Sequence, residues 1–508
     1  MSTALHPCSA PVSGTGAAAR VRLLHGALAG AWIHAGFLLR QKGCAIPARL
    51  AFVRAVRLRP DFISGWLGLA LVARESGQFG EAEAHLRRAF ALHPNCPETL
   101  LAWARLRLAR RDFAGAHGWT RWALAQAPDD AEVHNTLGIL LHDQGRFAEA
   151  VPEFERAEAL GSFPAISNRG NSLLDLGRTD EALAAHQSAV DRDPAHAGAR
   201  YNLALTQLRL GQWREGWRNY EARWRFREVH RQPRVFSQPR WRGELLDGEH
   251  VLLHAEQGLG DTVQFCRYAA LVAARGGRPI LQVQAPAARL LRSLAVVRAG
   301  LAEVVLLDDP PPPFDLECPL MSLPAVFGTT PETVPWAGPY LGPLPHASGF
   351  VPRPRLLSVG LCWAGNPRYK TDTQRSMRLP VLLPLLRTPG VFWVSLQKGP
   401  AADQIAELPS DVAVADGASH DSDLADAAAT IAGLDAVVTT DTCIAHLAGA
   451  IGKPVFVLLP HLADWRWMQD ASTTPWYPTA RLLRQPSPGD WNSVLAASAE
   501  ALKALSRT

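Results

Sequence analysis

Residues 66–94 read WLGLALVARESGQFGEAEAHLRRAFALHP. Trp66 and the small Ala70 precede Gly77, the small residues Ala82 and Ala89 follow it, and Pro94 closes the stretch. The same spacing recurs on both sides. Its pivot falls at Gly43, Gly77, Arg111, Gly145, Gly177 and Gly211, in steps of 34 apart from one step of 32. Five residues after the pivot stand Ala48, Ala82, Ala116, Ala150 and Ala182, and seven further on Ala55, Ala89, Ala123, Ala157 and Ala189. Pro60, Pro94, Pro128 and Pro194 close four of the units. A long fixed period of this kind predicts stacked helical hairpins. Small residues let two helices approach, glycine permits the turn, and proline ends the second helix. Six such hairpins are expected over residues 29–230, after an N-terminal segment, 1–28, expected to be partly disordered. An α-solenoid of this type offers a groove to a partner segment, so the first half reads as a recognition module.

The 508 residues are 47% hydrophobic, which excludes a disordered chain, and carry a formal net charge of +5. That charge is uneven. Between Tyr201 and Arg242 ten arginines face only Glu215, Glu221 and Glu228. The segment reads either as a solvated face with inter-domain ion pairs or as a surface that attracts anions. Trp217, Trp224 and Trp241 suit packing better than base stacking, so no nucleic-acid partner is expected. Seven scattered cysteines without a C-x-x-C pair suggest a reducing compartment. Met1–Ala19 has no Arg or Lys to start a signal peptide, and the apolar run Ala27–Leu39 is too short to span a bilayer. A soluble, cytoplasmic protein with no membrane span is expected.

From about residue 250 the period changes. HVLLHA (250–255), RPILQVQ (278–284) and EVVLLDD (303–309) read as strands separated by helical stretches, which predicts a parallel sheet with crossover helices. A stretch with six prolines and three glycines, 335–354, reads as a linker. After it LLSVGLCW, VFWVSLQ, DVAVA, AVVTT and PVFVLLP repeat the alternation, and a last helix starts near Trp491. Residues 231–249 read as a basic connector, 250–345 as one Rossmann-like half and 346–508 as a second. Two sheets joined by a hinge imply a cleft, and ligands bind beyond the carboxyl ends of such strands.

The motifs sit at those ends. In EQGLGD (256–261), Gly258 and Gly260 follow the first strand and are expected to allow a tight turn and close approach to a ligand, with Gln257 beside them. Val263 stands where a dinucleotide fingerprint needs glycine, and no G-K-[ST] is present. Asp261 opens the next helix, as a cap or as a carboxylate that takes a proton from an acceptor hydroxyl. Asp441 and Thr442 are expected to cap a helix running to Ala450, whose free amides suit a phosphate. His446 within that helix is either a core histidine or a ligand contact. Lys398, in SLQKG, could meet a diphosphate or simply be solvated. The loop 363–376 carries Arg368, Lys370 and Arg375, cations that could fold over an anion. The D-S-D at 421–423 lacks histidine or cysteine companions, so no metal is expected.

HAEQGLGDTVQFCRYA (254–269), Arg375-Ser376, SLQKG (395–399), TTDTCIAHLAGAIGKPVFVLLP (439–460), DWRWM (464–468) and PWYP (475–478) together resemble the bacterial tetratricopeptide-repeat glycosyltransferases. Their catalytic part is similar to glycosyltransferase family 9, the heptosyltransferase-like enzymes of the GT-B fold. The resemblance implies an inverting, metal-independent transfer from a nucleotide sugar, with no further cofactor. It implies that Asp261 is the base, and that 250–345 is the acceptor side and 346–508 the donor side. Donor phosphates would then meet Asp441, Thr442 and His446, with Arg375, Ser376, Gln397 and Lys398 as helpers. A polypeptide held by the repeats is the acceptor it suggests, with a lipopolysaccharide or other glycan, or a non-catalytic scaffold, as alternatives. One departure is visible: the family's Asp-Thr-Ala-Ala run is here Asp426-Ala427-Ala428-Ala429-Thr430.

Overall fold

The computed structural model of the chain describes residues 17–226, 229, 234–342, 353, 355–369 and 372–505. It divides into two compact units, residues 1–185 and 186–508.

The first unit is a series of helical hairpins. Helices Ala17–Gln41 and Ala45–Leu58 form one pair, followed by Ile63–Glu75 with Phe79–Leu92, Pro97–Ala109 with Phe113–Gln126, and Ala131–Asp143 with Phe147–Ala159. Phe163–Asp175 pairs with Thr179–Arg192, the helix within which the division falls. The first helix begins inside the stretch 1–28, because its alanine- and leucine-rich sequence favours helix; residues 1–16 lie outside the described residues.

Every pivot residue turns the chain in the same way. Gly43, Gly77, Arg111, Gly145, Gly177 and Gly211 all have positive φ, between 58° and 84°. The following N–H bonds back across the turn, as in Gln78 to the Ala73 carbonyl (2.9 Å) and Asp112 to the Arg107 carbonyl (2.9 Å). This is the Schellman stop of a helix, which glycine enters most cheaply. Arg111 adopts it with a side chain and lays its guanidinium 5.8 Å from the Phe113 ring centre. The periodic alanines of this unit are fully buried. At Gly138, an added Cβ would stand 2.6 Å from the Phe154 ring, which shows how close the paired helices lie. The 32-residue step has a local cause: helix Phe147–Ala159 and its connector are each one residue shorter than in the preceding unit. That connector turns at Gly161 (φ 97°) in place of the usual proline.

The second unit opens with a sixth hairpin, Ala197–Arg209 and Trp213–Tyr220, followed by a 3-10 turn, Glu221–Arg225. Its place in this unit departs from the expected boundary at residue 230. The reason is aromatic: Trp213 stacks on Trp476 with centroids 5.1 Å apart, and Trp217 meets Trp465 edge-on at 5.1 Å. Buried aromatic pairs of this kind add about 0.5–1.5 kcal/mol each beyond area burial.

Two parallel sheets follow. The first is built from β1 (His250–His254), β2 (Arg278–Val283), β3 (Glu303–Leu306) and β4 (Leu316–Pro319), in the order β3-β2-β1-β4. The second contains β5 (Leu357–Cys362), β6 (Val391–Ser395), β7 (Val414–Asp416), β8 (Ala436–Thr440), β9 (Val455–Leu459) and β10 (Ala480–Arg484). Its order is β10-β9-β8-β5-β6-β7, that of a doubly wound sheet whose strand order reverses between β5 and β8. In the first sheet the reversal falls between β1 and β4. The edge strands β4 and β10 are absent from the sequence reading. β4 is four residues long, and both are interrupted by charge (Glu317; Arg481 and Arg484), so they carry a weaker apolar signal than inner strands.

The basic connector is packed along the first sheet: Arg240 bridges to Glu317 beside β4, and the Arg234 guanidinium donates to Gln282 at 2.8 Å. Residues 335–342 pack as well, and so do not act as a free linker. The Tyr340 N–H bonds to the Ala450 carbonyl (3.1 Å), and Arg267 lies between Trp336, Tyr340, Trp476 and Tyr477. The rest of that stretch, 343–352 and 354, lies outside the described residues, as do Arg227, Arg231 and Lys370.

Candidate functional site

Both strand-order reversals lead into a short helix. After β1 the chain passes through Glu256 and Gln257 into helix Leu259–Phe265. Gly258 is its N-cap with φ −75°, and neither Gly258 nor Gly260 has positive φ, so the tight-turn expectation for this pair is not met. What Gly260 supplies is space: an added Cβ would sit 2.8 Å from His446 Cδ2 and 3.5 Å from Cys443 Cα. Asp261 is not the cap but lies in the first helical turn, reaching back so that its Oδ2 accepts the Gly258 N–H at 2.8 Å. Gln257 donates its side-chain amide to the Tyr220 hydroxyl (3.3 Å), and its carbonyl accepts from Gln284 (2.9 Å).

After β8, Asp441 and Thr442 lead into helix Cys443–Ala450. Thr442 is the N-cap, accepting the Ile444 N–H at 3.3 Å. His446 is buried one turn on, its Nδ1 3.0 Å from the Tyr477 hydroxyl and its ring stacked on Trp467 with centroids 5.5 Å apart. Burial first, then the positive charges of Arg466, Arg267 and Arg375, push its pKa well below the ordinary value, so it is a neutral imidazole. Through Gly260 the two junction helices touch. Asp261, Asp441, Thr442 and His446 therefore gather from segments 180 residues apart in sequence.

The loop after β5 closes on the same place. Arg375 Nη1 donates to the Asp441 carbonyl (2.7 Å) and its Nε to Asp372 (3.1 Å). Ser376 Oγ accepts the Gly365 N–H (2.8 Å) and donates to Asp372 (2.9 Å), which shapes the loop. Burial, reinforced by Asp464 and opposed by Arg375, pushes Asp441 up to about 6. Asp261 is also raised by burial, opposed by Arg466, with which it forms an ion pair.

Other expected residues have different work. Gln397 Oε1 accepts the Trp363 and Ala364 N–H groups (3.0 and 2.9 Å), while its Nε2 donates to the Ala364 and Lys398 carbonyls. Its amide braces the loop after β5 and has no donor capacity to spare. Lys398 is exposed and its ammonium bonds to the Asp421 carbonyl. Arg368 is exposed on the loop after β5. Asp423 caps helix Leu424–Ala432 and pairs with Arg289 (2.7 Å); Asp426 pairs with the same arginine, and Thr430 is buried within that helix. Among the described residues, no group of three or more His, Cys, Asp or Glu is arranged to hold a metal ion.

Several members of the basic segment are structural. Arg223 is fully buried, bonded to Glu256 (2.8 and 2.9 Å), Glu221 (2.6 Å) and Ser322 (2.8 Å), while Arg240 pairs with Glu317 (2.8 Å). Arg214, Arg218, Arg225 and Arg242 remain exposed. Sequence reasoning did not single out Arg466, Trp467 or Tyr477. Their signal lay in DWRWM and PWYP, dense in aromatic residues just beyond β9.

Residues 63–106, 101–164 and 167–215 match the tetratricopeptide-repeat family. These hairpins are tetratricopeptide repeats. The chain is 28% identical over 512 residues to protein FlbA of Caulobacter vibrioides, a similarity covering 86% of this chain and 84% of that one. It is 24% identical over 225 residues to the peroxisomal targeting signal receptor of Saccharomyces cerevisiae, across 35% of this chain and 37% of the receptor. Among solved structures, a thermophilic tetratricopeptide-repeat protein of Thermus thermophilus aligns with 35% of this chain and 99% of its own, at 21% identity and a TM-score of 0.34. Among the described residues no helix is long and apolar enough to cross a membrane.

Proposed function

We propose that the repeats bind a polypeptide and that the second unit, a GT-B arrangement of two Rossmann-like halves, transfers a sugar from a nucleotide donor to a hydroxyl of that partner. The observation that carries the chemical part is the meeting of the two junctions through Gly260 and His446. It sets a carboxylate, Asp261, near a helix start flanked by Arg375. In this reading Asp261 takes the proton of the attacking hydroxyl. The amides at the start of helix Cys443–Ala450, with Arg375, stabilise the departing diphosphate. His446, neutral and pinned, offers a hydrogen bond rather than a charge. No metal and no cofactor beyond the sugar donor takes part. The six described cysteines are free thiols, which suits the cytoplasm as the place of action.

A second reading keeps the repeats and drops the chemistry: a scaffold that recognises a partner protein. The family matches, which fall within residues 63–215, and the likeness to a receptor for a targeting signal speak for this reading more than for the first. A third would direct the same transfer to a lipopolysaccharide or other glycan. Melting the full chain with UDP, GDP, ADP or CMP discriminates them, since a ligand bound to the native state raises its stability. The transferase reading expects a rise with one nucleotide, followed by sugar transfer to a protein in a lysate with the matching nucleotide sugar. No rise with any nucleotide overturns it in favour of the scaffold, and transfer to glycan alone moves the acceptor.

A further inference from the structure

Resting on the transferase reading, we propose that Arg466 is the positioning residue of Asp261 and that the sixth repeat hairpin holds Arg466 in place. The two oxygens of Asp261 have one donor each: Oδ2 accepts the Gly258 N–H at 2.8 Å, and Oδ1 accepts Arg466 Nη2. The carboxylate plane is thereby set by one donor from its own loop and one from the segment after β9. Each oxygen keeps a lone pair for an incoming hydroxyl.

Arg466 itself is pinned on every side. Its Nε donates to Gln264 Oε1 (3.0 Å), its Nη1 to Asp464 Oδ1 (2.8 Å), and its guanidinium lies 4.2 Å from the Trp465 ring centre. The segment that carries it is bracketed by the sixth hairpin. Arg209 Nη2 donates to the Ala463 carbonyl (2.9 Å), the Gln469 N–H donates to the Arg209 carbonyl (3.1 Å), and Trp217 packs on Trp465. The last repeat thus reaches Asp261 through the segment 463–469 and the Arg466 side chain that it carries.

The charges around Asp261 make that side chain matter. Asp464 and Arg466 face it from the segment after β9, and Glu256 from its own loop. Cys443 and His446 lie across Gly260, and Arg223 and Tyr220, at the end of the sixth hairpin, hold Glu256 and Gln257. Among the described residues, Arg466 is the main charge that opposes the burial of Asp261 and its two neighbouring carboxylates, with a smaller contribution from the Gly258 N–H, while Arg223 is spent on Glu221 and Glu256. With the guanidinium gone, Asp261 would hold its proton to higher pH and could not accept another.

The test is a carboxyl-carbon NMR titration of Asp261 in the full chain and in Arg466→Met, Arg466→Lys and Arg209→Ala, together with the pH profile of transfer. In Arg466→Met the Asp261 midpoint should rise by about one to three pH units. The acid limb of kcat/KM should move with it, and kcat should fall more than KM changes. Arg466→Lys should restore much of the midpoint, and Arg209→Ala, which keeps Arg466, should raise it by less than Arg466→Met does. An unchanged midpoint in a folded Arg466→Met, or in Arg209→Ala where Arg466→Met does not fold, overturns the proposal. A shifted midpoint in a protein that turns over no nucleotide sugar leaves the ion pair standing and removes the transferase reading instead.

Discussion

Glycine does two unlike jobs in the two halves of this chain. In the repeats, Gly77 and Gly145 have positive φ and nothing within 4 Å of where a Cβ would stand. Their need is conformational, and it recurs at every turn. At the junction after β1, Gly260 has no such φ, yet a Cβ there would strike His446, which Tyr477 and Trp467 keep from moving aside. That need is for space, and it arises from two segments brought together only by folding. A repeated local requirement marks architecture, whereas a singular non-local one marks a place where something is assembled.

The strongest way to sharpen this contrast is Asp261→Asn. On the transferase reading, sugar transfer falls about 10²–10⁴-fold while nucleotide binding, followed by calorimetry, is kept; undiminished transfer would deny the singular site its chemistry. Next comes Gly260→Ala, expected to cost about 1–3 kcal/mol in chemical denaturation through overpacking. Gly258→Ala, whose Cβ would meet only Asp261 Oδ2 at 3.3 Å, should cost far less. Equal losses for the two would break the argument from space. In the repeats, Gly77→Ala and Gly145→Ala should each cost about 1–2 kcal/mol, the usual penalty of a left-handed residue with a side chain. A marked difference between them would show that the turns are not equivalent. The smallest effect belongs to Arg111→Gly, which should stabilise by about 0.5 kcal/mol, as relief of left-handed strain is partly offset by the greater chain freedom of glycine.

The repeats were readable because each requirement sits within a few residues of the feature it produces. Gly77, Ala82, Ala89 and Pro94 announce a turn, two close contacts and a stop, and even Arg111 kept its place in the period. Most strands of the two sheets were readable from their apolar runs, β4 and β10 being the exceptions at the edges. At the candidate site what was readable was position: Asp261, Asp441, Thr442 and His446 each follow a strand, and the structure brings the two segments together at Gly260. Arg466 was not readable, since its partner Asp261 follows a strand of the other sheet, far away in sequence. Gln397 was expected to meet a ligand, yet its amide braces backbone groups of residues 363, 364 and 398, bonds that no spacing announces.

The tryptophans that seat the sixth hairpin on Trp465 and Trp476 also set a rule for rearranging this protein. Hairpins before residue 185 obey a common pattern and can be lost, copied or exchanged without touching those contacts. The sixth cannot be traded for another, because Trp213, Trp217 and Arg209 are matched to partners outside the repeat. Shortened versions should therefore keep it whole, and a cut at residue 230 would remove a wall of the α/β unit along with the repeats.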